Sequence, residues 1–351
     1  MNVSDVESRR NRILESIIET YVATVVPVGS QLVARKLRSV LSPATIRSIM
    51  SDLEEAGLLE QPHTSAGRVP TERGYRFYVD SVMEAQELTP EQVRQIQDVI
   101  TPSDAEIERL LERASEALAE LTQQAAFVVA PTVLHSTVRQ VELVPLGMHK
   151  LLCVLVADGD VFASHVVESA DPITRDELLT LVRFINSEFV GHPFAAVLDM
   201  LERRLLAERD SFYFMVKRSL DILQHALATE PEDRLLLEGT SYIMAQPEFR
   251  RDPRKAHVLL QALESAEELA GSIREDLRRR GITVRIGREM PAEGLEACSY
   301  VAAPFALGGQ VLGGIGVLGP TRMDYRRIIA LVDGMAESVT GTLGRWVRDA
   351  G

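Results

Sequence analysis

Residues 41–71 read LSPATIRSIMSDLEEAGLLEQPHTSAGRVPT, and this run decides the fold of the N-terminal third. Ser42 ahead of Pro43 is the pairing that best starts a helix: a hydroxyl for the first free amides, then a ring whose φ is already helical. Ile46, Ile49, Met50 and Leu53 recur at helical spacing as an inward stripe, and Gly57 supplies the stop. The opposite face carries Ala44, Thr45, Arg47, Ser48 and Ser51, while Asp52, Glu54 and Glu55 are confined to the C-terminal half. A helix start of small polar residues with one arginine suits entry into a major groove. Its dipole also favours phosphate at that end. Leu58-Leu59-Glu60 then predicts a short strand, and residues 61–70 a polar hairpin of the kind that forms the wing behind a helix-turn-helix. His63, Thr64, Ser65 and Arg68 are its candidates for phosphates or a minor groove. Taken alone, His63 reads as a solvated loop histidine.

Working outward, Ile13, Leu14, Ile17, Ile18, Tyr21 and Val22 predict a first helix ending before Pro27. Ser30 is placed to cap a second, running to Arg38 with Leu32, Val33 and Leu37 inward, and its Arg35 and Lys36 are candidate phosphate contacts. Thr71 is placed to cap a further helix from Glu72 to about Met83, whose Tyr75, Phe77 and Tyr78 read as packing rather than base stacking. The candidate DNA-contacting set is therefore Ser42, Thr45, Arg47, Ser48, His63, Thr64, Ser65, Arg68, Arg35 and Lys36.

Charge supports the same region. The 351-residue chain has a formal charge of −13, yet no carboxylate lies between Glu19 and Asp52, nor between Gln61 and Thr71. Residues 1–85 hold 10 basic and 11 acidic residues, so nearly all the acidic excess falls on the remainder. An acidic protein that clears acids from two neighbouring patches makes room for phosphates there. The overall composition, 46% hydrophobic and 25% charged, excludes a disordered or disulfide-scaffold chain. Cys153 and Cys298 sit in apolar runs and read as buried reduced thiols. The uncharged stretch from Ala297 to Thr321 is too dense in glycine and proline for a lipid-spanning helix, so a cytoplasmic protein is expected.

Beyond residue 88 the pattern changes. Thr89-Pro90 opens a helical linker, and Ile107, Leu110, Leu111, Ala114, Leu118 and Leu121 mark a second helix. Strands are expected at 127–129, 138–144, 151–156 and 161–167, with Asp158-Gly159-Asp160 as a hairpin turn between the last two. Three helical stripes follow, the last being Phe212, Val216, Leu220, Leu223 and Leu227, before strands return at 284–286, 300–306 and 310–319. A helical block interrupting a sheet-forming sequence reads as an insertion. Gly313-Gly314-Ile315-Gly316 lacks a following Gly-Lys-Ser/Thr and reads as a close-packed hairpin, not a phosphate loop. No nucleophile motif or metal-ligand spacing is present, so neither an enzyme nor a metal or cofactor site is expected.

These residues resemble the HrcA family of heat-inducible transcription repressors. The likeness lies in Pro27-Val28-Gly29-Ser30, residues 41–47, Asp52-Leu53-Glu54, Gly57-Leu58-Leu59 and, most specifically, 61–71 with 74–80. It returns at Gln246-Pro247-Glu248-Phe249, at 284–289 and at 314–323. The resemblance implies an α+β multidomain chain: an N-terminal winged helix-turn-helix (1–88), a helical linker (89–125), a GAF-like α/β domain (126–170 and 230–351) and an inserted, mostly helical dimerisation domain (171–229). It further implies a homodimer repressing chaperone operons at an inverted-repeat operator in double-stranded DNA, with a chaperonin of the GroE type keeping the repressor active. A metabolite-sensing regulator with a small effector in the GAF-like domain is the alternative. On this reading the winged helix is a free-standing unit and the Leu220 stripe a dimer contact.

Overall fold

The computed structural model of the chain describes residues 3–38, 41–64, 66–84, 86–100, 107–130, 137–147, 149–157, 162–169, 172–207, 212–227, 234–264, 266–277, 281–307 and 310–350. Helix α1 (Val3–Thr24) buries Ile13, Leu14, Ile17 and Ile18 and stops ahead of Pro27. A short α2 (Ser30–Lys36) and α3 (Pro43–Glu55) follow, and β1 (Leu59–Glu60) pairs antiparallel with β2 (Val69–Pro70). Ser42 caps α3, accepting the Thr45 amide at 3.1 Å, and Gly57 (φ +71°) ends it. Ser30, by contrast, is not a cap. The Leu32 and Val33 amides close onto the Gly29 carbonyl, which makes Gly29 the half-helical residue and Ser30 the buried first one. The helix also stops at Lys36 rather than Arg38, whose φ of +43° is incompatible with another helical turn.

Thr71 caps α4 (Glu72–Phe77) by accepting the Gly74 amide at 3.0 Å, and one π-helical turn, Tyr78–Val82, extends it. Tyr75 and Tyr78 are buried, so both act in packing. Helices α5 (Pro90–Val99) and α6 (Ile107–Thr122) come next, then β3 (Ala125–Ala130). The expected linker is in fact core: Ile96, Leu110, Leu111, Ala114 and Leu118 are buried in one cluster with sheet residues Val128, Val301 and Ile315. Helices this amphipathic need an apolar partner, and the sheet face provides it.

The strands β4 (Val138–Pro145), β5 (Lys150–Ala157) and β6 (Phe162–Glu168) correct the expected domain limits. They leave the main sheet and form their own, in the order β4-β5-β6. Val141, Leu151, Cys153, Leu155 and Val167 pack one face of it against α7 (Arg175–Phe189), α8 (Phe194–Ala207) and α9 (Phe212–Leu227). The separate body therefore begins near residue 137 rather than 171. The reason is local: Asn186 on α7 bonds both the amide and the carbonyl of Val141, at 2.8 and 2.9 Å, which fastens β4 to the helices. Asp158-Gly159-Asp160 lies outside the described residues. The stripe Val216, Leu220, Leu223 and Leu227 points into this core, and Leu220 is 5% exposed, so it is not a surface contact.

The main sheet gains β7 (Arg234–Glu238), a strand the periodicity did not predict, and runs β7-β3-β10-β9-β8 with every pairing antiparallel. Here β8 is Thr283–Ile286, β9 Cys298–Leu307 and β10 Gln310–Pro320. Between β7 and β8 lie α10 (Thr240–Met244), α11 (Pro247–Arg250), α12 (Pro253–Glu264) and α13 (Ala266–Leu277), and α14 (Tyr325–Ala350) follows β10. Alternate residues sort to the two faces. Ala126, Val128 and Val317 share a core with α6 and α14, while Phe127, Val129 and Tyr300 share one with α12 and α13. A Cβ on Gly316 would lie 2.4 Å from the Val301 carbonyl oxygen and 2.5 Å from the Phe127 ring, so those glycines serve close packing. Cys153 and Cys298 are buried and unbonded, and burial pushes both thiols up to about 12.

The N-terminal unit is docked on this body through a seam. Tyr75 meets Tyr325 with ring centroids 5.8 Å apart. Arg322, with its side chain 10% exposed, donates to the Val22 carbonyl at the end of α1 (2.7 Å) and to Glu248 (2.6 Å). Arg326 pairs with Glu15 and Glu19 on α1, and Arg76 on α4 pairs with Glu289 and donates to the Val284 carbonyl at 2.7 Å. Residues 1–88 therefore share a core with the rest of the chain and are not free-standing. Arg322→Met leaves Glu248 and the Val22 carbonyl half-buried without their donor, a loss of about 3 kcal/mol for a broken buried pair. Hydrogen exchange is expected to show α1 and α4 amides losing protection by about 100-fold, at 1.4 kcal/mol per decade, with α7–α9 unchanged. Equal loss across α7–α9 would contradict a seam-specific role.

Candidate nucleic-acid interface

The first two turns of α3 stand clear of the protein. Ile46 and Met50 anchor the helix, while Pro43, Ala44, Thr45, Arg47 and Ser48 are all exposed. Arg47 has no ion pair among the described residues, and no acid occupies the first turn. Ser42 and Thr45 do more than was expected of them. Their hydroxyls lie 3.0 Å apart, and Ser42 also caps the helix, so this pair holds the helix start in shape as well as presenting polar atoms. Arg35 on α2 and Arg38 just beyond it are exposed and without ion pairs among the described residues. Arg38 is a further exposed cation beside the candidate set. Lys36 is less available: it pairs with Glu19 at 2.9 Å and donates to Thr20 Oγ1 at 3.3 Å.

The hairpin presents exposed His63 and Thr64 at its tip, and Ser65 lies outside the described residues. Gln61 stiffens the loop from within, its Nε2 donating to the carbonyls of Thr64 (3.0 Å) and Ala66 (2.9 Å). Arg68 does not reach outward as expected. Its Nη2 grips Glu54 on α3 at 2.8 Å, and its side chain is only 17% exposed. The backbone explains this, because Arg68 pairs with Val28 through two 2.9 Å hydrogen bonds that turn its side chain towards α3. No sequence spacing links residues 54 and 68, so Glu54 was missed as a partner.

The structure thus brings Thr45, Arg47, Ser48, Arg35, His63 and Thr64 into one solvent-facing N-terminal unit, and separates Arg68 and Lys36 from them as internally paired cations. Chemically, the exposed set offers a guanidinium fork able to bind a base edge or a phosphate, flanked by small hydroxyls. Among the described residues no group of three metal-ligating side chains occurs, and no helix is long and apolar enough to cross a membrane.

Residues 108–329 match the family described as "HrcA protein C terminal domain". The heat-inducible transcription repressor HrcA of Pelotomaculum thermopropionicum is 34% identical over 345 residues, covering 98% of this chain and 99% of the relative. That of Desulforudis audaxviator is 36% identical over 344 residues, covering 98% and 99%. A crystal structure of a hypothetical protein at 2.2 Å resolution superposes with a TM-score of 0.58 at 22% identity, over 96% of this chain and 98% of the other, a likeness of fold.

Two substitutions on α3 are expected to separate its structural and exposed roles. Ser42→Ala removes the cap and should cost about 1 kcal/mol of stability in urea denaturation. Arg47→Ala, exposed and unpaired, should stay within about 0.5 kcal/mol of the parent. A stability loss on Arg47→Ala comparable with that of Ser42→Ala would show that Arg47 has a structural partner.

Proposed function

The chain belongs to the HrcA family of heat-inducible transcription repressors, and from that premise we propose how it represses heat-shock genes: as a homodimer reading an inverted-repeat operator. The N-terminal unit is a winged helix-turn-helix in this reading. The start of α3 enters the major groove with Arg47 on a base edge, Thr45 and Ser48 beside it, and the hairpin tip lies on the adjacent backbone. The observation that carries it is the exposed, acid-free start of α3 on a protein whose net charge is −13. Arg35 and Arg38 are its phosphate contacts, and the main sheet with its flanking helices is the GAF-like body. The compartment is the cytoplasm, and a GroE-type chaperonin partner follows from the family alone.

A single winged helix covers one half-site, and its few phosphate contacts leave it near non-specific affinity. Joining two copies makes the second half-site encounter intramolecular, which raises binding by ~10²–10⁴-fold. The body of β4–β6 and α7–α9 is the dimerisation domain in this reading. With the Leu220 stripe buried, the surface that supports it is the outer face of the three-stranded sheet. Val144, Leu152 and Val166 form an apolar row across β4, β5 and β6, beside half-buried Val154 and Val156. Val144 and Val166 are 43% and 58% exposed, a contiguous apolar row that a second copy would cover.

Selection of random duplex DNA on the purified protein is expected to recover an inverted repeat, and recovery of nothing above background would sink the reading. On the recovered duplex, Arg47→Ala should cost ~1–3 kcal/mol and relax discrimination at one base pair of each half-site. Equal weakening on a scrambled duplex would remove α3 from base readout. Val166→Glu, at an exposed position, should leave the chain folded but monomeric in sedimentation and weaken operator binding with it. A folded Val166→Glu dimer would place the interface elsewhere.

A further inference from the structure

We propose that Arg68 is a positioning residue: by gripping Glu54 it fixes the distance between the hairpin tip and the exposed start of α3, and it makes no contact with DNA. The proposal deepens the reading above and rests on it. Three observations converge. Both backbone groups of Arg68 are bonded to Val28, and Gly67 beside it approaches so closely that a Cβ would lie 2.4 Å from the Val28 carbonyl carbon. The base of the hairpin is thereby fixed to the turn between α1 and α2. The side chain then reaches α3, where Nη2 meets Glu54 Oε2 at 2.8 Å, and the buried Nε has no hydrogen-bond partner. A guanidinium turned inward, with one donor already enclosed, is not disposed to meet a phosphate.

Glu54 sits seven residues after Arg47, so the two share a face of α3 and lie about 10 Å apart along its axis. The other contacts that hold the hairpin lie at its base: a ladder of two residue pairs, Leu59 with Pro70 and Glu60 with Val69, the bonds of Thr71 to the Gly57 and Leu58 carbonyls, buried Leu59 and Val69, and the contact with Val28. Because Gln61 makes the loop one stiff piece, the angle of that piece to α3 is set at the Glu54–Arg68 pair. Two readers held at one spacing bind a matching duplex without first being ordered, which favours the correct site over a scrambled one. A brace of this kind acts on specificity, whereas a phosphate contact acts on all sequences alike.

The test uses the full-length protein, the duplex recovered by selection and a scrambled duplex of the same length, titrated across a range of salt. Glu54→Gln keeps an acceptor and nearly the same shape while removing the charge that holds Arg68. As mere removal of an acid near DNA it should tighten binding to both duplexes. As loss of the brace it should weaken the selected duplex by about tenfold, leave the scrambled one unchanged or tighter, and leave the salt slope unchanged. Arg68→Met should behave alike, and the double variant should lose no more than Arg68→Met alone, because both changes break one unit. The proposal is overturned if Arg68→Met weakens both duplexes and lowers the salt slope by about 1 per protomer, as a lost phosphate contact does. It is equally overturned if Glu54→Gln tightens the selected duplex. Should Arg68→Met fail to fold by near-ultraviolet circular dichroism, Glu54→Gln decides alone. A wild-type protein that binds neither duplex fails the underlying reading instead, so the two failures are distinguishable.

Discussion

The rings of Tyr75 and Tyr325 meet across the join between the N-terminal unit and the sheet body, and much of the molecule is organised around that contact. Four helices, two of them under eight residues long, and a hairpin with two-residue strands enclose only a small core of their own. Tyr75 and Tyr78 are covered because α14 and the sheet body lie against them, and the buried cluster runs from Ile13 on α1 to Leu343 on α14. Arg326 and Arg76 ring the apolar contact with ion pairs that cross the seam, and Arg322, held by Glu248 on its own side, crosses it through the Val22 carbonyl. Each pair is modest where it is exposed; the apolar contact supplies the driving force and the arginines set the orientation. The orientation of α3 is thus a property of the whole chain.

Exposed Arg47 and the hydroxyls beside it on α3 are placed by two sets of internal pairs, one at the seam and one between Arg68 and Glu54. Arginine serves both purposes, and burial separates them. Arg47, Arg35 and Arg38 are open to solvent, whereas Arg68 and Arg322 are largely enclosed and already paired. A count of basic residues in a sequence window cannot make that distinction.

The separate β4–β6 body shows the same principle at the scale of a domain. Its strands look like any others in the sequence, short apolar-rich runs such as residues 151–157. What removes them from the main sheet is Asn186, which occupies the free edge of β4, and the loop at residues 191–192, which bonds Val138. An edge satisfied in this way does not seek another strand. Once the inner face is filled by α7–α9, apolar Val144 and Val166 on the outer face remain exposed.

Local rules in the sequence determined the helices and most strands. The Ser42-Pro43 start, the Gly57 stop, the Thr71 and Thr89 caps and the 3.6-residue stripes are short-range effects, decided within one or two turns of chain. The exposed character of Arg47, Thr45 and Ser48 was legible for the same reason, since an inward stripe fixes the outward one. Tertiary structure decided everything that joins distant positions. It tied Arg68 to Glu54 and Lys36 to Glu19, turned Leu220 inward, made core of the supposed linker and added β7 at the sheet edge. Periodicity shows that a residue needs a partner, but long-range pairing depends on which surfaces the folded backbone brings within hydrogen-bond reach, and no spacing along the chain encodes that distance.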